Sequence, residues 1–159
     1  MTNFSLNMDS LQVGQLPNTN IRMIDSYIAQ EDIDFGKPVI LDLSDNTVKN
    51  WVAGTAADLA KLYMGISVFT QSAPNLSFED NTGNKILAGT VGNFIRFGDQ
   101  TVITEVAATK GEHCYINVAN GAFTNVEANN LKIGRFMTST TAGGEKAVIF
   151  VNADQSVGA

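Results

Sequence analysis

The sequence predicts an all-β fold: one small β-barrel or β-sandwich domain, jelly-roll-like, with an extended N-terminal arm and at most one short helix. Three observations lead there. Apolar residues come in short runs, too short for helices of ordinary length. Turn-forming residues punctuate those runs every 8–12 residues or so, the rhythm of a sandwich or barrel. The polar load falls on 16 Asn and 14 Thr among 159 residues, and Thr favours strands while Asn favours turns.

The elements follow in order. Residues 1–20 read as the arm and residues 21–159 as the β-rich domain. In the arm, Phe4, Leu6 and Met8 alternate with Ser5 and Asn7, and Leu11 alternates with Val13, which is strand periodicity. Gly14, Pro17 and Asn18 then break the pattern. A lone terminal strand cannot bury its apolar face, so it is a tail, a strand of the domain's own sheet, or an arm that adds to a neighbour's sheet edge. Residues 21–35 fit a short helix or extended chain. VILDL (39–43) is a strand, SDN (44–46) a turn and TVKNWV (47–52) a second strand. TAADLAKLYMG (55–65) is the helix candidate, with Thr55 and Asp58 as a capping pair and Gly65 to end it. ISVFTQ (66–71) is a strand, and FEDNTGNK (78–85) a hairpin-like tip. Strand runs then recur at 85–91, 93–97, 101–108, 113–119, 122–126, 131–137 and 146–152. Between them lie Gly98-Asp99, Lys110-Gly111, Asn120-Gly121, Asn129-Asn130 and Gly143-Gly144 as turns. Asn120-Gly121 reads as a two-residue hairpin turn.

Charge excludes several functions. Of the net −6, all resides in residues 1–80, with ten acidic and four basic side chains; residues 81–159 hold six of each. Such a chain has no electrostatic footprint for nucleic acid or anionic lipid. Charged residues make up only 16%, below the usual quarter of soluble domains, as suits a surface that packs on other protein. No apolar run is long enough for a membrane span. No signal peptide is visible, so synthesis in a cytoplasm without secretion is expected.

Candidate chemistry is sparse. Cys114 is the only cysteine, so there is no internal disulfide and no multi-cysteine zinc site. His113 and Cys114 are strand neighbours and point to opposite faces, which predicts a buried Cys114, an exposed His113 and no dyad. Glu31, Asp32 and Asp34, and Glu79, Asp80 and Asn81, lack calcium-loop spacing. Gly143-Gly144 is followed by a strand, not by the helix that a phosphate loop needs. The expectation is no catalytic residue, no metal, no cofactor and no enzyme activity, although carboxylates meeting from distant strands keep a hydrolase open. Trp51, near Asp45 and Asn46, is the one hint of a sugar site. Phe94, Phe97, Phe123, Phe136 and Phe150 are expected in the core.

The stretch NGAFTNVEANNLKIGRFMTSTTAGGEKAVIFV (120–151) resembles the C-terminal part of the structural cement, or capsid decoration, proteins of tailed phages. The resemblance rests on Gly121-Ala122-Phe123-Thr124, on Ile133-Gly134-Arg135-Phe136 and on the closing strand Ala147 to Val151. DIDFGKPVILD (32–42) and YMGISVF (63–69) extend it to about residues 32–151. It implies a β core as decoration domain and a place on the virion. The partners it implies are the major capsid protein and the chain itself, as dimer or trimer, with no nucleic acid and no membrane. The mechanism implied is the bridging of neighbouring capsid subunits. Partner-binding residues would then be Phe4, Leu6, Met8, Leu11 and Val13 of the arm, with Arg96, Lys132 and Arg135 meeting acidic patches on the shell. The alternative is a carbohydrate-binding β-module of a phage tail or bacterial surface.

Overall fold

The computed structural model describes residues 13–14, 21–69 and 85–157, the last five by backbone alone. Eleven strands and one helix follow in the order β1 (Met23–Ile28), β2 (Ile33–Asp34), β3 (Pro38–Asp42), β4 (Thr47–Asn50), α1 (Ala56–Leu62), β5 (Tyr63–Ser67), β6 (Lys85–Ile86), β7 (Val91–Ile103), β8 (His113–Ile116), β9 (Phe123–Thr124), β10 (Leu131–Phe136) and β11 (Lys146–Val157). The predicted class is therefore the observed one: all-β, with one short helix. The hairpin-like tip at 78–85 falls mainly outside the described residues.

One curled antiparallel sheet carries most strands, in the order β4-β3-β5-β7-β11-β10-β8-β9, with β1 also on β7. Its pairings run in two circuits that share β7. In the first, β1 pairs β7, and Ala29 just past β1 bridges Val48 of β4, which returns through β3 and β5 to β7. In the second, β9 at the far end bridges Thr104, just past β7, and the Glu105 amide donates to the Phe123 carbonyl at 2.8 Å. Each circuit surrounds an apolar cluster. The first holds Ile33, Phe35, Val39, Val48, Ile86 and Phe94. The second is larger and includes Ile95, Val102, Cys114, Ile116, Leu131, Phe136 and Ile149. Side chains alternate across a strand, so β7 serves both, through Phe94 and Ile95.

This long strand corrects the sequence reading. Gly98-Asp99 is not a turn; β7 runs unbroken from Val91 to Ile103. Gly98 has φ 122°, and here β7 changes partners along one edge. Phe97 faces Met23 of β1, while Gly98 faces Val151 of β11. A side chain at Gly98 would stand 2.9 Å from the Arg22 Cβ. The run 85–91, by contrast, is broken. β6 stops at Ile86, and a turn follows in which the Thr90 amide and hydroxyl both donate to the Leu87 carbonyl. The ambiguous 21–35 segment is extended, giving β1 and β2.

The helix begins as predicted. The Asp58 amide donates to Thr55 Oγ1 at 3.3 Å, and that hydroxyl donates to the Asp58 carboxylate at 2.7 Å. It ends earlier than expected, at Leu62. Gly65 lies inside β5, with φ 127°, where a Cβ would meet the Ile95 carbonyl oxygen at 2.5 Å. The Asn120-Gly121 hairpin exists, but its loop is longer than two residues: the Asn117 amide donates to Ala122 O at 2.8 Å, enclosing residues 118–121.

β2 and β6 form a separate two-stranded sheet, held by Asp32. Its carboxylate accepts from Lys85 Nζ at 2.7 Å and from the Ala88 amide at 3.0 Å. The Lys85 hydrogen bond first, then the Ala88 amide, pull the Asp32 pKa below its usual value, and the same pair raises that of Lys85. A depressed carboxylate stabilises the fold above its ordinary range, near pH 4. That contribution is lost as pH falls through the lowered value. The raised lysine adds stability that is lost only as pH climbs above its own raised value. Asp32→Asn is expected to lower amide-exchange protection several-fold at residues 85–88 and to leave β7 and β10 unchanged. Acidifying the unsubstituted protein should do the same. Unaltered protection in both would show that the pair does not hold β6.

Candidate functional site

The sequence-predicted contact residues scatter over the molecule. Phe4, Leu6, Met8 and Leu11 lie outside the described residues. Val13 is half-buried and starts a turn with Gly14, and this turn is fastened to the domain. The Gly14 amide donates to Thr101 O of β7 at 2.8 Å, and its carbonyl accepts from the Phe69 amide at 2.9 Å. Gly14 has φ 83°, and a Cβ there would sit 2.9 Å from both Gly36 N and Phe35 Cβ. Only glycine fits this root without strain.

The three cations differ. Arg96 is the extra residue of a β-bulge in β7, because Met23 pairs Phe97 and Ile24 pairs Ile95. Its guanidinium lies 3.4 Å from Asp25 of β1, so it is tied within the chain. Lys132 of β10 is half-buried, with Nζ 3.5 Å from His113 Nε2 of β8. Arg135 is exposed, pairs His113 across the strands, and forms no ion pair among the described residues. Lys132, Arg135 and His113 thus gather on the outer face of β8 and β10, while Arg96 stands apart on the other circuit. Phe150, beside Arg135 on β11, packs edge-to-face on Phe97 at 5.1 Å. Those two phenylalanines are half-buried outer-face residues, unlike the buried Phe94, Phe123 and Phe136.

Cys114 lies inside as predicted and is fully buried; burial pushes its thiol above the ordinary range, which opposes a thiolate nucleophile. His113 is half-buried rather than exposed. Tyr115, on the same outer face, is buried too, 6.4 Å from the His113 ring. Burial first, then Glu127, raises its phenol pKa.

Trp51 is built into the fold. Its indole N–H donates to Val118 O at 3.2 Å, and its ring meets Tyr63 edge-on at 6.5 Å. Gly121, at φ 74°, lies so close that a Cβ would come within 2.8 Å of the Trp51 Cβ and Cγ. Asp45 and Asn46 belong to the β3–β4 turn, where the Asp45 carboxylate accepts from the Thr47 hydroxyl at 2.6 Å. They do not line the small cleft beside Trp51. The Glu31 carboxylate accepts from the Asn50 amide at 2.9 Å, and Glu79, Asp80 and Asn81 fall outside the described residues. Among the described residues no group of three or more His, Cys, Asp or Glu is placed to hold a metal ion, and no helix is long and apolar enough to cross a membrane.

Two apolar surfaces went unnoticed in the sequence. One is a groove of about 400 Å³ between the β3–β4 hairpin and α1, lined by Leu41, Leu43, Val52, Leu59 and Leu62 with Asp42 and Lys49 at its side. The other is the β1 edge, where Ile21, Met23, Ile24, Ile28 and neighbouring Val91 are all exposed. The signal for the second was present: Ile24 and Ile28 flank Ser26, as the arm's apolar residues flank its polar ones.

A family model described as structural cement protein (E217 gp24/Pam3 gp6) matches residues 1–152. Among solved structures, a chain of the capsid of Myoviridae phage XM1 superposes with a TM-score of 0.66 at 16% identity, covering 96% of this chain and 97% of that one. The head fiber gp8.5 N base of bacteriophage phi29 gives a TM-score of 0.46 at 8% identity, covering 86% and 98%. No curated protein matches the sequence.

Proposed function

The chain belongs to the structural cement protein family, and from that premise we propose that it binds the outside of the major capsid shell and stabilises it by bridging neighbouring subunits. The observation that carries this reading is the family match across residues 1–152. The surface supports it: apolar side chains stand exposed at β1 and beside α1, and a basic group sits at β8 and β10. The arm is the proposed grip, and its fastening at Gly14 gives it a fixed root. Many copies around a shell add modest contacts into firm attachment. Synthesis in the host cytoplasm and a dimeric or trimeric state belong to the same proposal.

The test is attachment to particles stripped of the protein, followed by their resistance to heat. Because Gly14 is bonded to Thr101 and Phe69, the deletion must spare it. Removing residues 2–12 should leave the unfolding midpoint nearly unchanged and lower attachment at least about tenfold, the loss of one apolar contact region. Attachment equal to that of the full chain would remove the arm from the mechanism. Arg135→Glu should weaken attachment roughly three- to tenfold, more at low salt than at high, since surface charges act through screened fields. A variant binding as well as the parent at low salt would assign Arg135 to ordinary solvation.

A further inference from the structure

We propose that the open edge of β1 is the receiving site for the leading strand, Phe4 to Met8, of a second copy of this chain. The inference rests on the cement reading and names the surface that links one copy to the next. β1 (Met23–Ile28) pairs β7 along one edge only; along its other edge no described strand is paired, and only Ala29, beyond its end, bridges Val48. Exposed strand edges are normally blunted by Lys, Pro or an inward charge. Here the strand reads MIDSYI, and its single charge, Asp25, is already engaged by Arg96. Beside the edge, Ile24 and Ile28 of β1 stand exposed, with exposed Val91 of β7 across from Ile28. An unpaired ladder beside exposed apolar side chains calls for a strand with one apolar face.

The arm supplies that strand in matching register. Cross-strand pairing places Ile24, Ser26 and Ile28 on one face of β1, the face of Val91 and Asn93; Ser26 Oγ donates to Asn93 Oδ1 at 2.8 Å. Phe4, Leu6 and Met8 share the same two-residue spacing. With Leu6 opposite Ser26, Phe4 and Met8 fall opposite Ile24 and Ile28 whichever way the strand runs. Five residues span about 17 Å, nearly the length of β1. The donor is another copy because of where the arm is rooted. Ile95 pairs Ile66 of β5 on one side and Ile24 of β1 on the other. Gly14 is bonded to Phe69, just past β5, so the arm leaves from the side of β7 away from the open edge.

Crosslinking tests this. Leu6→Cys and Ser26→Cys are made in separate full-length chains; buried Cys114 does not compete. The two are mixed and oxidised, both in solution and on particles. A disulfide joining two chains is expected in the mixture, about tenfold more than with Lys61→Cys in place of Ser26→Cys. Ile28→Lys, which puts a charge on the edge without touching the core, should cut the yield by a similar factor. A double variant Leu6→Cys/Ser26→Cys that closes within single chains would overturn the proposal in favour of the chain's own arm. Lack of any adduct in solution and on particles would overturn it in favour of another occupant. Adduct formation with no attachment to shells would leave this inference standing and sink the capsid reading.

Discussion

Replacing Gly134 by alanine should destabilise the protein by about 3 kcal/mol or more, a large share of the ~5–15 kcal/mol that holds a domain of ordinary stability folded. Gly134 sits in β10 just past a bulge that lies between Lys132 and itself, and it pairs Val151 of β11. A Cβ there would overlap the carbonyl oxygen of Phe150, with the Phe150 carbonyl carbon at 2.8 Å and Val151 Cα at 3.3 Å. The obstacle is backbone, which cannot swing aside as a side chain does. Relief requires β10 and β11 to separate at the heart of the larger cluster. Gly111 is the control. Its φ of 94° also favours glycine, but nothing lies within 4 Å of a Cβ there, so Gly111→Ala should cost only about 1–2 kcal/mol of backbone strain. Urea midpoints of the two variants compare close approach with conformation. Equal losses would mean that β10 yields more readily than its packing implies.

Phe94→Ala should cost about 3–5 kcal/mol. Phe94 is fully buried and is the largest side chain of the smaller cluster except for Phe35, its equal. The more telling expectation is the shape of the transition. Because Phe94 and Ile95 feed different clusters from one strand, loss in the smaller should lower the melting of both together. A single transition followed by tryptophan fluorescence, through Trp51 beside the larger cluster, and by amide exchange at β1 would show this. Two separated transitions would mean that the circuits fold independently.

Much of the architecture was legible because it is local. VILDL and KAVIFV declare strands by composition, and Thr55 with Asp58 declares a helix start by a contact three residues long. The fragment Ile133-Gly134-Arg135-Phe136 was recognisable as a pattern, and the structure explains it: Ile133 and Phe136 are buried, Arg135 is exposed, and Gly134 is required by the passing Phe150 carbonyl. What was not legible depends on distance along the chain. Gly98 looked like a turn because a Gly-Asp pair between two apolar runs usually marks one. Here the chain goes straight on and exchanges neighbours instead. His113 looked exposed because alternation speaks of one sheet, not of what lies over its outer face, where it is half-buried. Arg96 looked like a surface cation because its partner, Asp25, is 71 residues away. The open edge of β1 was hidden for the same reason, since an edge is defined only by which strands fail to arrive.

The root of the arm has a mechanical meaning. Tension on the residues ahead of Gly14 bears on two hydrogen bonds at once, one to Thr101 in the long central strand and one from Phe69 beyond β5. Neither bond can be unzipped before the other without tilting a glycine wedged against Phe35 and Gly36. A tug on the tether is therefore divided between two neighbouring strands instead of peeling one from its end.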